Sequence, residues 1–171
     1  MNEFPFDCLR TGFGYDVHPF EAGRPLMLGG IEIAHDRGLA GHSDADVLLH
    51  ALTDAVLGAL AWGDIGTWFP NTDQKFRGAD SKELFRAVWA KATEEGWMLV
   101  NCDSVIIAEC PKLNPHMLRM RESIASLFGS TADRIGLKAT TNEKLGFVGR
   151  EEGIAAQSSV LLYKKPAAGA E

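Results

Sequence analysis

Cysteine is scarce in this 171-residue chain: Cys8, Cys102 and Cys110 are the only three, and no two are spaced as CxxC. That pattern excludes a disulfide framework, and each cysteine reads as a small buried or semi-buried side chain rather than a nucleophile. No apolar run reaches the ~18 residues a membrane span needs. There is no dense Lys/Arg run either, and the net charge is −6, which argues against a general nucleic-acid surface. A polyanionic ligand would therefore need local positive charge from metals, a few Lys or Arg, and backbone N–H groups. Repeats, low-complexity linkers and composition breaks are missing, and "MNEFPFDCLR" has the pattern of neither a signal nor a transit peptide. The expectation is a cytoplasmic protein without a nucleic-acid or membrane partner.

What is present is the balance of an ordinary globular domain, 46% hydrophobic and 23% charged. "LRTGFGYDVH" reads as a strand, and "PLMLGGIEI" as two short strands around a Gly-Gly turn. "SDADVLLHALTDAVLGALAW" has helical periodicity, with Ser43 as its cap and Asp44 and Asp46 in its first turn. "DIGTWFPNTDQKFRGAD" has no period and reads as a loop; at 17 residues it is long enough to suggest function. "SKELFRAVWAKATEEG" and "PHMLRMRESIASLFG" are further helices, started by Ser81 with Glu83 and by Pro115, and closed by Gly96 and Gly129. "WMLVNCDSVIIAEC", with a polar break, "RIGLKAT" and "GIAAQSSVLLY" complete the strands. The predicted fold is a single α+β domain: a four-stranded mixed sheet with helices on one face, plus a small β-hairpin. Residues 1–9 form an extension, 10–164 the domain and 165–171 a frayed tail.

Asp16 and His18 in "GYDVHPF" are two apart on a strand, so both side chains point to one face. With His50, two turns into the first helix, they make an oxygen-and-nitrogen triad. It would leave one corner of a tetrahedral Zn²⁺ open, as in catalytic sites. The plain alternative is a solvated strand end and a satisfied core histidine. His42 beside Ser43 fits a capping segment, and His35 and His116 read as solvent-facing. "KATTNEKLGFVGREEG" adds hydroxyls, cations and glycines in a turn suited to phosphate, with Glu143 able to hold Mg²⁺ against phosphate oxygens. Its glycine spacing is neither a P-loop nor a dinucleotide fingerprint. Together these features point to metal-dependent phosphoryl transfer or phosphate-ester chemistry.

"GYDVHPF", "LGG", "GLAGHSDADVLLHALTDAVLGA", "GDIGTWFP", "GADS" and "KATTNEKLGFVGREEGIAAQS" keep one order and spacing from about residue 10 to 164. In this the chain resembles the 2-C-methyl-D-erythritol 2,4-cyclodiphosphate synthases of the non-mevalonate isoprenoid route. The resemblance implies a phosphorus–oxygen lyase that turns 4-diphosphocytidyl-2-C-methyl-D-erythritol 2-phosphate into the cyclic diphosphate and CMP. It makes Asp16, His18 and His50 zinc ligands and Glu143 the ligand of a second ion, Mg²⁺ or Mn²⁺. Thr141 would contact the diphosphate between the metals, with His42 and Ser43 lining the phosphate side. Asp54, Asp64 and Gly66 match the methylerythritol part of the site, and Asp73 is a further substrate-binding residue. Ala108, Pro111, Lys112, Leu113, Ala139 and Thr140 match the cytidine pocket. The resemblance further implies a homotrimer packed through its sheets, with active sites between subunits. Tyr15, Phe147 and Arg150 match a cavity on the threefold axis, where an isoprenoid diphosphate or trimer packing alone could account for them.

Two positions depart from the family pattern. Asn71 stands where Asp is common, which puts that residue's contact with the substrate hydroxyls in doubt. Asn142 replaces a Thr or Ser, with little expected effect because a strand-end neighbour points away from Thr141 and Glu143. Two other functions fit parts of the pattern. A zinc phosphoesterase would release free phosphate, and a non-catalytic trimeric binding module would need a fourth protein ligand that no Cys or His offers.

Overall fold

The structure, a computed structural model, describes residues 8–165. The predicted extension (apart from its last two residues) and the predicted tail (apart from Lys165) lie outside those residues. Among the described residues seven strands form: β1 (Leu9–Ala22), β2 (Leu26–Leu28), β3 (Ile31–Ile33), β4 (Arg37–Leu39), β5 (Trp97–Ile107), β6 (Ile135–Thr140) and β7 (Gly153–Lys164). The main sheet runs in the order β4-β1-β7-β5-β6, with only the β5–β6 pair parallel, while β2 and β3 pair separately across Gly29 and Gly30. It therefore has five strands rather than the expected four. The extra one, β4, pairs only with the far end of β1, Phe20 to Ala22. Three residues are too few to show a period, so "RGL" carries no strand signal of its own. The polar break in β5 lies at a bulge between Leu99 and Asn101.

The helices are α1 (Val47–Ala59), α2 (Ile65–Trp68), α3 (Ser81–Glu94), α4 (Met117–Phe128) and α5 (Gly146–Gly149). α1 packs on β1 and β7, α3 on β5 and α4 on β6. Leu48, Leu52, Val56, Phe85, Ile106, Met120 and Ile124 are fully buried between these layers. Phe85 and Trp89 meet Phe128 edge-on, joining α3 to α4.

β1 and α1 approach each other closely, and glycine makes it possible. A Cβ on Gly12 would sit 1.9 Å from the Ala55 carbonyl oxygen, and one on Gly14 would sit 2.0 Å from that of Ala51. With small residues on both sides, strand and helix backbones nearly touch. That contact brings the Asp16–His18 end of β1 against His50.

The cap of α1 is Asp46 rather than Ser43. Its carboxylate accepts from Leu49 N–H at 3.0 Å, and also from Gly29 N–H at 2.9 Å and Gly30 N–H at 2.6 Å, which ties the β2–β3 turn to the helix start. Burial of this carboxyl pushes its pKa up, against the pull of those three donors.

The segment 64–80 is not irregular throughout. Asp64 accepts from Thr67 N–H at 2.7 Å and starts the one-turn α2, and Asp73 accepts from Lys75 N–H at 3.1 Å over a 3₁₀ turn at Gln74–Phe76. Trp62 stacks on Trp68, with Lys91 over both rings. His35 is not solvent-facing either: it is half-buried, stacks on Phe20 and bonds the Arg37 carbonyl through Nδ1 at 2.9 Å. His116, at the end of a 3₁₀ turn before α4, is also half-buried.

Candidate active site

β1 supplies Asp16 and His18 on one face, and α1 supplies His50 opposite them. Three donor atoms converge: Asp16 Oδ2 lies 2.9 Å from His18 Nε2 and 3.0 Å from His50 Nδ1, and the two nitrogens are 3.0 Å apart. A tetrahedral ion with bonds of about 2.0–2.1 Å needs ligand–ligand edges of about 3.3–3.4 Å. The triangle is slightly tight for that, within the reach of a small rotamer adjustment, and its two imidazoles and one carboxylate are the donor types zinc takes. These residues can hold a metal ion, and they are the one such group among the described residues.

The electrostatics agree with a ligand set. Burial opposes charge on Asp16, but its close interactions with the His18 and His50 imidazoles outweigh it and hold the carboxyl well below the usual range. Burial also opposes charge on His18, and the adjacent Asp16 carboxylate overcomes it, raising the pKa. His18 Nδ1–H donates to the Ala40 carbonyl at 2.7 Å, which turns its Nε2 lone pair toward the other two donors.

These three line a cleft of about 210 Å³ with His42, Ser43, Gly66 and Asn71, walled by Ile65, Phe69 and Phe76. Arg24 fixes the rim by donating to the carbonyls of Gly41 at 2.8 Å and Ser43 at 2.5 Å. Asp54 accepts from Ile65 N–H at 2.7 Å and so holds the start of α2; burial, opposed by that bond and helped by nearby Asp64, raises its pKa. Asp64 and Asp73 are caps, and the Asp73 carbonyl accepts from His42 Nε2 at 3.3 Å.

A second cleft, of about 510 Å³, gathers Ala108, Pro111, Lys112, Leu113, Ala139, Thr140 and Thr141 at the ends of β5 and β6. All six residues matched to the cytidine pocket are in it, and it shares no lining residue with the first cleft. Next to it, Thr141 Oγ1 donates to Glu143 Oε1 at 3.4 Å. Glu143 and Lys144 have φ of 50° and 62°, a strained left-handed turn for non-glycine residues. Glu109 holds that turn: its Oε1 accepts from Asn142 N–H at 3.1 Å and Lys144 N–H at 3.0 Å, and its Oε2 pairs with Lys144 Nζ at 2.9 Å. The Lys144 N–H bond, followed by the Lys144 ammonium, keeps the Glu109 pKa below its ordinary value. Phe147 and Arg150 line neither cleft. Phe147 is exposed on α5, and Arg150 makes a two-pronged pair with Glu152 at 2.8 and 3.1 Å.

Sequence reasoning passed over Arg24 and Glu109, and saw Ser81 and Asp44 only as helix-start residues. The two contacts of Arg24 at the cleft rim are to backbone carbonyls, and Glu109 binds a turn more than thirty residues away, so neither leaves a local pattern. Ser81 Oγ lies 2.9 Å and Ser43 Oγ 3.1 Å from His50 Nε2, so both hydroxyls belong to the site.

Comparison with known proteins gives the family and the fold. A profile of the YgbB family matches residues 9–163. The chain is 57% identical over 156 residues to the 2-C-methyl-D-erythritol 2,4-cyclodiphosphate synthase of Bacillus cereus, covering 91% of this chain and 99% of that one. Among solved structures it is similar to the bifunctional IspDF from Campylobacter jejuni, with a TM-score of 0.88 and 48% identity. That match covers 92% of this chain but spans only 42% of the bifunctional one. It is also similar to IspF of Plasmodium falciparum in complex with CDP, with a TM-score of 0.81, 30% identity and coverage of 92% and 97%. The chain belongs to the YgbB family, alongside the 2-C-methyl-D-erythritol 2,4-cyclodiphosphate synthases it is similar to.

Proposed function

We propose that this protein is a 2-C-methyl-D-erythritol 2,4-cyclodiphosphate synthase acting in the cytoplasm. In its substrate, 4-diphosphocytidyl-2-C-methyl-D-erythritol 2-phosphate, an oxygen of the 2-phosphate attacks the β-phosphorus. The bond to the CMP oxygen breaks, and an eight-membered cyclic diphosphate closes. The observation that carries this reading is the Asp16–His18–His50 triangle opening into a cleft beside Ser43 and His42.

Asp16, His18 and His50 would hold Zn²⁺, and Glu143 would hold Mg²⁺ or Mn²⁺. When bound, such ions polarise phosphoryl oxygens and offset the charge that develops in the transition state. The chain's own residues position the two ends of a flexible substrate. His42 and Ser43 face the phosphate end, Thr141 contacts the diphosphate, and Asp54, Asp64, Gly66 and Asp73 bound the erythritol part. Ala108, Pro111, Lys112, Leu113, Ala139 and Thr140 enclose the cytidine. Effective molarities of up to ~10⁵–10⁸ M are available from such orientation. The nucleophile is already an anion, so the reaction needs no strong general base.

The two clefts share no residue, which supports an active site made from the metal side of one chain and the nucleotide side of its neighbour. A homotrimer packed through its sheets accounts for the exposed apolar side chains Phe13, Tyr15 and Val17 on the sheet face away from α1. Arg150 and Phe147 would then approach the threefold axis, where an isoprenoid diphosphate could bind.

The test is phosphorus NMR of purified protein with the cytidine substrate, Zn²⁺ and Mg²⁺. Two coupled cyclic-diphosphate resonances appearing with equimolar CMP are expected. Inorganic phosphate in their place would overturn the cyclisation in favour of a phosphoesterase.

A further inference from the structure

The hydrogen bonds behind His50 form a directed chain. Ser81 Oγ bonds Asp44 Oδ1, and Ser81 N–H donates to Asp44 Oδ2 at 3.2 Å. A carboxylate only accepts, and a serine hydroxyl has a single proton to donate. Ser81 therefore gives that proton to Asp44 and turns its lone pairs to His50 Nε2, 2.9 Å away. Ser43 Oγ, 3.1 Å from the same nitrogen, accepts from Ala45 N–H at 3.1 Å. It can give its own proton to Ser81 Oγ at 3.4 Å, since Ser81 has none left to give, which leaves a lone pair for His50 Nε2. Both serines are buried, so water does not compete for these positions.

The opposite side of the ring pulls the other way. Asp16 Oδ2, 3.0 Å from Nδ1, is a charged acceptor that on its own would draw the imidazole proton to Nδ1. A proton there would block the nitrogen that faces His18 and Asp16, because a ligating nitrogen must be unprotonated. His18 is differently placed: the Ala40 main-chain carbonyl holds its Nδ1–H, and no side-chain substitution removes that acceptor.

We propose that Asp44 and Ser81 are positioning residues that hold His50 as the Nε2–H tautomer and so present Nδ1 to a bound metal. The proposal rests on reading Asp16, His18 and His50 as a metal site. It also gives the segment before α3 a function, since Asp44 N–H donates to the Ala79 carbonyl at 3.0 Å and Gly78 N–H to that of His42 at 2.7 Å. The start of α3 and the loop leading to it are thus part of the support of the metal site.

The experiment uses full-length protein labelled with ¹⁵N-histidine. Long-range ¹H–¹⁵N spectra of the metal-free protein, taken well above the ordinary histidine pKa of ~6.5, report each tautomer. Zinc affinity is then measured by competition with a chelator. In the wild type His50 should show Nε2–H. Ser81→Ala should shift His50 toward Nδ1–H, leave His18 unchanged and weaken zinc binding roughly 10–100-fold. Asp44→Asn leaves Ser81 in place but satisfies only one of its two donors, and should give a smaller change in the same direction. Nδ1–H in the wild type, or an unchanged His50 tautomer with unchanged zinc affinity in Ser81→Ala, would overturn the proposal. Should Ser81→Ala not fold, an unchanged tautomer in Asp44→Asn overturns it equally. A wild type with the Nε2–H tautomer that binds no zinc would instead overturn the metal reading.

Discussion

Individual side chains in this site are judged by what they face. Removing His50 takes away one of three converging donors, so His50→Ala should abolish zinc binding, measured by metal analysis of the purified protein. Activity should fall at least ~10³-fold, since the ion is worth several kcal/mol of transition-state stabilisation and each 1.36 kcal/mol is a factor of ten. The assembly should remain, because His50 lies on the α1 side of the sheet, away from the exposed apolar face of β1 through which the subunits are proposed to pack; persistent turnover without zinc would refute the metal mechanism. Glu143→Gln should raise the Mg²⁺ concentration needed for half-maximal rate, and an unchanged titration would remove Glu143 from that role. Glu109 makes a pH-dependent prediction. Its folded pKa is depressed, chiefly by Lys144 N–H, so its contribution to the turn is present above the ordinary carboxyl value of 4.5 and is lost as pH falls through the lower folded value. The Asn142 and Lys144 amide resonances should therefore titrate with a midpoint below 4.5, and Glu109→Ala should abolish that titration. Asp16 and His18 were legible as a pair because strand geometry alone puts i and i+2 on one face. The roles of Ser81 and Glu109 were not, because each is defined by a partner more than thirty residues away.

At the scale of elements, the geometry of the metal triangle depends on how near α1 lies to β1. In Gly14→Ala the added methyl would meet the Ala51 carbonyl at 2.0 Å, and backbone cannot yield as a flexible side chain can. The variant should be destabilised by at least about 2 kcal/mol in urea unfolding at fixed protein concentration, and zinc affinity should fall with it. Asp46→Ala should cost about 3–5 kcal/mol, combining the lost cap of α1 with the orphaned Gly29 and Gly30 N–H groups. The three long helices and most strands were readable from periodicity, as was the Gly-Gly turn between β2 and β3. The start of α1 was misplaced because Ser43 and Asp46 are both good caps, and only the β2–β3 turn docking on Asp46 decides between them. α2 and the 3₁₀ turn at Gln74–Phe76 are too short to show a period; they form because Asp64 and Asp73 cap them and Lys91 covers the Trp62–Trp68 stack.

For the whole molecule, the sharpest prediction concerns the separation of the two clefts. His50→Ala damages only the metal side, and Lys112→Ala only the nucleotide side. If sites form between subunits, mixing the two weakened variants under conditions of subunit exchange should restore part of the activity. A mixture no better than the sum of its components would place a complete site within one chain. Among the described residues, no helix is long and apolar enough to cross a membrane.

The sequence by itself determined the fold class, the presence and order of the long helices, the placing of Asp16 and His18 on one face of β1 and, through motifs in fixed order, the family. These are local or ordered properties, set by periodicity of two and 3.6 and by residue type at fixed spacing. Only the tertiary structure decided the fifth strand, the capping of α1 by Asp46, the meeting of His50 with Asp16 and His18, and the Asp44–Ser81 support behind it. Each of these depends on contacts between segments far apart in sequence, and their strength comes from burial and hydrogen-bond direction that only the packed chain provides.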